Sequence, residues 1–349
     1  MRTNPPQLPG EDNASTEGDV TQADQTPATA PRKLPYSKWW PLAIGALTGI
    51  VLRLIFSGEP GGAYTAMTGA FVYLAPLAVG AVTVYVAEAK QRRTWSYYVW
   101  APMVANTLFV LGTMAILIEG LICVIIIIPL FCALGALGGL LMGGICRATQ
   151  RRREAVYSFA VLPILLGFLP THEASLQRIG TIERTIVVEA SPQQIWQQIH
   201  EARDIRPEEV GHAWMYRIGV PLPIAGVTQE TPEGFVRKVS MGKSIHFEQV
   251  ATEWQENRFV RWVYRFNENS FPPNALDDHV TIGGHYFDLL DTSYKLSPID
   301  PKTTELNISM RYRVSTQFNW YADGVAKFLI GNFEEVILDF YRRRAVRVG

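Results

Sequence analysis

The sequence predicts two regimes in one chain: an α-helical membrane bundle of about five helices, then an α+β domain whose antiparallel sheet wraps a long C-terminal helix. Three observations carry this. Five apolar runs fill residues 39–169, charges are sparse between Trp39 and Cys146 but common after Thr171, and the apolar pattern after residue 180 alternates with period two. The length, 349 residues, is that of two domains.

Residues 1–36 are rich in Pro, Thr, Asp, Glu and Gln and nearly lack large apolar side chains. Such a segment cannot bury enough surface to offset its chain entropy and is expected to be disordered. No apolar core follows its first positive charge, so it does not read as a secretory signal peptide. The first apolar run is expected to act as an uncleaved anchor.

The runs cover residues 39–56, 64–87, 97–118, 121–145 and 155–169 within a bundle assigned to 37–170. A spanning helix needs about 20 apolar residues. The middle three satisfy this, whereas the fifth is short and holds Pro163. Arg53 lies near the end of the first run, where its side chain can snorkel to the headgroups or act as an intramembrane charge. Interiors otherwise nearly free of charge disfavour a coupled transporter and point to an anchor or scaffold.

Lys and Arg mark one side. Arg32, Lys33 and Lys38 precede the first run; Lys90, Arg92 and Arg93 follow the second; Arg147, Arg151, Arg152 and Arg153 follow the fourth. The alternate connections contain neither residue type. The positive-inside rule then puts the N-terminus in the cytoplasm and, with five crossings, the C-terminal domain outside; if the short fifth run is re-entrant or interfacial and does not cross, that domain is cytoplasmic. The implied compartment is a bacterial inner membrane. Gly45 and Gly49 in the first run, with Gly135, Gly139 and Gly143 in the fourth, are spaced for close helix packing, within the chain or in a homo-oligomer. Cys123, Cys132 and Cys146 all fall in the fourth run and its margin, so the soluble part has neither a disulfide framework nor a thiolate zinc site.

After a tether at 171–179, the domain at 180–349 opens with TIERTIVVEASPQQIWQQI. Thr185 to Glu189 reads as a strand. Ser191, Pro192 and Gln194 form a capping box starting a helix with Ile195, Trp196 and Ile199 on one face. Strands are expected at 235–241, 245–254, 259–266, 286–296 and 306–315. In the last, Leu306, Ile308, Met310, Tyr312 and Val314 alternate with polar residues. The final helix, 319–344, places Val325, Phe328, Leu329, Phe333, Val336, Ile337 and Phe340 on one apolar face. Arg342, Arg343 and Arg344 suit the negative end of its dipole.

The strand, small residue, Ser-Pro and apolar-aromatic pair at 181–199, with the final helix near FNWYADGVAKFLIGNF, resemble the SRPBCC superfamily: START-like, polyketide cyclase/dehydrase-like helix-grip domains. The resemblance covers about residues 180–348 and excludes the bundle. It implies a hydrophobic ligand cavity beneath the helix and supplies no universal catalytic residues.

Catalytic motifs are scarce. There is no P-loop, nucleophile elbow, HxxxH or HExxH. His172, His200, His212, His246, His279 and His285 lack metal-ligand spacing. A metal near His279, His285, Asp277, Asp278 and Asp288 is the weaker reading, and no metal or other cofactor is assigned. If Tyr286, Leu290, Tyr294 and Leu296 face inward, Asp288 and Thr292 do too, which would make Asp288 the candidate base or ligand-orienting acid; the plainer reading is that a bulge or edge position puts Asp288 in water. Trp262, Tyr264, Tyr286, Leu290, Met310, Tyr312, Val325 and Phe328 are the candidate cavity lining. With 32 Lys+Arg against 32 Asp+Glu, no basic footprint calls for nucleic acid. The expected partners are the lipid bilayer and a hydrophobic small molecule or lipid. The leading reading is a tethered binding module. The alternatives are an enzyme acting in the same cavity and an interaction protein with a filled core.

Overall fold

The computed structural model describes residues 38–60, 62–149, 152–168, 177–273, 275–277 and 279–348. The expected disordered tail at 1–36, most of the tether at 171–179, and Arg32, Lys33, Arg151, His172 and Asp278 lie outside the described residues.

Five helices form the N-terminal half: α1 (Trp40–Ile55), α2 (Ala70–Glu88), α3 (Trp95–Ala115), α4 (Leu121–Ala148) and α5 (Arg152–Leu166). Among the described residues, only α2, α3 and α4 are both long and apolar enough to cross a membrane. This corrects the expectation of about five. At 1.5 Å per residue, the 16 residues of α1 and the 15 of α5 reach about 24 and 22 Å, short of a hydrocarbon core about 30 Å thick. The first turn of α2 is a π-turn, Ala70–Leu74, preceding Pro76, which has no N–H for the helical ladder.

Glycine sets the helix crossings. A Cβ on Gly45 would lie 2.0 Å from Thr83 Oγ1 of α2, and one on Gly49 2.4 Å from the Phe109 ring of α3. On α4, Gly135 faces Asn106, Gly139 lies against the Tyr98 carbonyl and Gly143 against the Tyr98 ring, while the Gly80 position of α2 nearly touches the Gly135 carbonyl. These grooves are filled within the chain. The homo-oligomer envisaged through them therefore has no free glycine face there to use.

Arg53 does not snorkel. Its Nε is 2.7 Å from Glu119 Oε1 in the α3–α4 turn, and Nη1 donates to the Phe56 carbonyl. The α3–α4 turn and the α1–α2 loop occupy one end of the bundle. The α2–α3 and α4–α5 connections, with Arg93 and Arg147, occupy the other. There Arg147 Nη2 donates to the Arg93 carbonyl and its guanidinium sits over Trp95.

In the C-terminal half, β1 (Arg178–Val188) leads into α6 (Pro192–His200), β2 (Glu201–Ala202), α7 (Pro207–Val210) and α8 (Trp214–Arg217). Then come β3 (Pro223–Thr231), β4 (Gly234–Met241), β5 (His246–Gln255), β6 (Phe259–Arg265), β7 (Phe287–Asp300), β8 (Thr303–Val314) and α9 (Asn319–Val348). Every ladder is antiparallel, in the order β1-β8-β7-β6-β5-β4-β3-β2. The predicted capping box forms: Ser191 Oγ accepts from Gln194 N, and Gln194 Oε1 accepts from Ser191 N at 2.8 Å. The inward residues of β8 are buried as their alternation requires. They meet α9, which also covers β1, and Trp262, Phe340 and Tyr341 complete the core.

The two halves share contacts. Tyr321 OH donates to the Ile126 carbonyl at 2.5 Å, Trp320 Nε1 donates to Tyr73 OH at 2.8 Å, and Gln317 Oε1 accepts from Gly69 N. Tyr286 OH is 3.2 Å from Thr65 Oγ1, and Asp277 Oδ2 accepts from Cys123 N. All of these bundle residues belong to the end opposite the basic connections.

Candidate ligand cavity

Beneath α9 the sheet encloses an elongated cavity of about 350 Å³, within the range of small-molecule sites. On one side lie Val239 and Phe247 of β4 and β5, Met310 and Val314 of β8, and the 205–223 segment through Met215 and Ile218. The opposite wall is α9, from Ala322 to Tyr341. Those residues are 19 apart, about 28 Å along a helix.

Its two ends differ. Near the start of α9 the cavity is closed by the bundle: Phe71 of α2, Phe109 and Val110 of α3, and Ile122, Val124 and Phe131 of α4 contribute to the wall. Here Arg53, Glu119 and His279 meet, with His279 Nε2 3.8 Å from Glu119 Oε2 and Nδ1 buried without a partner.

The far end is polar. Arg237 is 7% exposed; Nη1 donates to Gln249 Oε1 at 3.4 Å and Nη2 to Tyr341 OH at 3.1 Å, while Nε has no partner. Gly226 makes room for it, since a Cβ there would lie 2.6 Å from Nη2. Tyr264 OH is 2.6 Å from Thr292 Oγ1. Burial pushes the Tyr264 phenol up to about 12 and the Tyr294 phenol well above its ordinary value, so both are neutral at physiological pH. His200 is packed among Trp196, Trp254 and Trp262. Burial, with the Arg237 charge adding to it, pushes its imidazole down to about 3.

Four of the eight lining candidates, Tyr264, Tyr286, Met310 and Val325, face this cavity. The other four do not, each for a definable reason. Trp262 is fully buried against the His200 cluster. Tyr312 turns its hydroxyl to Asp323 Oδ1 at 2.6 Å and its ring against Gly180. Phe328 is 56% exposed beside Trp214, because the inward stripe of α9 runs through Ala322, Val325, Ala326, Leu329, Ile330 and Phe333.

Leu290 is the extra residue of a β-bulge: Leu289 pairs with Tyr312 and Asp291 with Arg311. The bulge reverses the parity of β7, so Phe287 and Leu289 line the cavity before it and Thr292 and Tyr294 after it. Asp288 consequently falls on the other face, opposite Arg313, where Oδ1 accepts from Gly283 N at 2.8 Å. Partial burial raises its pKa, opposed by the Gly283 N–H and Arg313, but it does not reach the cavity. Among the described residues, no three His, Cys, Asp or Glu side chains group closely enough to hold a metal ion.

Arg237 is a functional candidate absent from the sequence-based expectations. The signal was present: it occupies the inward parity of β4 with Phe235, Val239 and Met241, where a charge is out of place.

No family model matches this chain, and no curated protein matches it. Solved structures do resemble its C-terminal half. The half is helix-grip-like. A START superfamily protein from Mycobacterium smegmatis aligns at 13% identity over 48% of this chain and 99% of that one, with a TM-score of 0.34. Norcoclaurine synthase from Thalictrum flavum aligns at 10% identity over 51% and 92%, with a TM-score of 0.32. The di-domain ARO/CYC StfQ from the steffimycin biosynthetic pathway aligns at 11% identity over 56% of this chain and 59% of its own, also at 0.32. Likenesses this distant carry no argument about activity or ligand; the strand order and the placement of α9 carry the fold.

Proposed function

We propose that the chain is a membrane-anchored binding protein whose helix-grip cavity, in the domain from residue 180 onward, takes up a hydrophobic molecule from the bilayer. The observation behind this is the shared wall: Phe71, Phe109, Ile122 and Phe131 of the bundle line the same cavity as Met310 and Leu329 of the domain. An apolar ligand could pass between bilayer and cavity while shielded from water, and loss of apolar contact with water is the main favourable term for such a guest.

Membrane insertion of the bundle at 37–170 agrees with its surface. Leu47, Val51, Leu108, Leu111 and Leu141 are exposed, as lipid-facing residues are, and Trp39, Trp40, Trp95 and Trp100 are exposed near the basic end, where an aromatic belt belongs. The basic connections then lie in the cytoplasm and the domain outside. The enzyme alternative loses its candidate base, because Asp288 is on the opposite face of β7. The filled-core alternative is disfavoured by the cavity itself.

Extraction of the purified full chain followed by mass spectrometry tests the proposal. One apolar molecule per chain is expected, falling several-fold in Ala326→Trp, whose indole would fill the space beside the helix. Recovery of no such molecule, or equal recovery from a folded Ala326→Trp protein, would refute it. Protease added to intact, outer-membrane-permeabilised cells should cut the domain; full resistance of a domain that detergent renders cleavable overturns the orientation.

A further inference from the structure

The wall of the cavity is apolar except at its ends, and the charges at those ends are balanced differently. At the bundle end Arg53 and Glu119 form an ion pair. At the far end Arg237 faces no carboxylate: among the described lining residues Glu119 is the only acid, and it belongs to the other end. A guanidinium cannot shed its proton in a protein, and buried charges are ordinarily paired because an unpaired one costs several kcal/mol. Here the protein offers only neutral acceptors, the Gln249 amide and the Tyr341 and Tyr294 hydroxyls, and leaves Nε unpartnered. Gly226 keeps open the space in which the guanidinium lies.

We propose that the ligand is an anionic amphiphile, a single apolar chain ending in a carboxylate or phosphate that pairs with Arg237 while the chain runs along α9 toward the bundle. This rests on the binding reading above and narrows it to a chemical class and a polarity. The guanidinium fork matches the oxygens of either head in two parallel hydrogen bonds, which an ammonium cannot do. The 28 Å or so between Tyr341 and Ala322 gives the tail a straight path from the polar end to the bundle. A neutral sterol-like or aromatic guest would leave the Arg237 charge uncompensated. A zwitterionic head would bring a second cation toward it.

The test uses the delipidated full chain in neutral detergent at alkaline pH, with oleate, oleyl phosphate and oleyl alcohol as probes of one chain length. A charge-assisted hydrogen bond contributes about 1.5–3 kcal/mol, which converts to about ten- to a hundred-fold in affinity. At least one anion should therefore bind tenfold or more tighter than the alcohol; which one does so separates a carboxylate from a phosphate head. Arg237→Gln should erase that preference while still binding the alcohol, which also reports that the variant is folded. Arg237→Lys should restore it only in part. Equal binding of the anions and the alcohol by the native chain overturns the proposal and leaves the binding function standing, as does a preference that survives in Arg237→Gln. Binding of none of the three probes overturns both.

Discussion

Glu334 offers the sharpest stability prediction. It lies in α9 on the side that covers β1 and β8, its side chain is fully buried, and neither carboxyl oxygen has a well-formed hydrogen bond. Burial pushes its pKa from 4.5 up to about 8; Arg184 and the Met310 backbone offset this only in part. Between those two values the folded chain holds a proton that the unfolded chain releases. The contribution to stability is therefore fully present below pH 4.5 and is lost as the pH rises toward 8. Each pH unit in that window costs about 1.4 kcal/mol per retained proton. From pH 5 to pH 8 the loss is about 4 kcal/mol, a large share of a typical folding free energy. Glu334→Gln keeps the shape and cannot ionise. Thermal unfolding of the full chain, followed by tryptophan fluorescence across pH 5–8, should show a falling melting temperature in the native protein and a much flatter profile in Glu334→Gln. Parallel profiles for the two proteins would refute the argument, because the slope would then belong to other groups.

Further expectations concern the bundle. Gly139→Ala places a methyl 2.3 Å from the Tyr98 carbonyl and should lower the melting temperature sharply, whereas Gly144→Ala, with nothing within 4 Å, should be neutral or gain up to about 1 kcal/mol of helix propensity. Similar melting temperatures for the two variants would contradict the glycine-packed crossing. Glu119→Ala strands the Arg53 charge in a nearly buried site and should cost about 2 kcal/mol or more, while Arg53→Met with Glu119→Met should recover much of it. A double-mutant cycle that sums to zero interaction would show the pair to be inert.

The sequence announced its elements more clearly than their orientation. Alternation in 306–315 and the Ser191 box are local signals, and both segments fold as they read. β3 went unread because PIAGVTQET opens with proline and carries no alternation, and only pairing with β4 makes it a strand. The bulge at Leu290 takes that residue out of the lining and puts Asp288 on the other face, as the plainer reading of this carboxylate has it; parity inverts at a bulge, and nothing in LLDT marks where one falls. Phe328 is bulky and reads as inward, but the small Ala322 and Ala326 take cavity-facing places on α9 and Phe328 is exposed. The glycine spacings in α1 and α4 were legible as close contacts but not as contacts with α2 and α3, because a helix face does not name its partner. Arg237 is visible in the pattern as a charge at an inward position of β4, which a search for apolar alternation alone does not register.

Phe318, at the entry to α9, is buried in the same apolar cluster as Phe71, Phe109 and Phe131, with Tyr321 and Ala322 packed against it. On the binding function proposed above, the domain is a vessel whose stopper is the helical bundle. Cut free at the tether, it would present an uncorked greasy mouth to water. A soluble fragment beginning near residue 177 would self-associate or need a surrogate plug such as detergent. The fusion of the two halves is in this sense part of the container, and any carrier cycle has to run with the stopper loosened rather than removed.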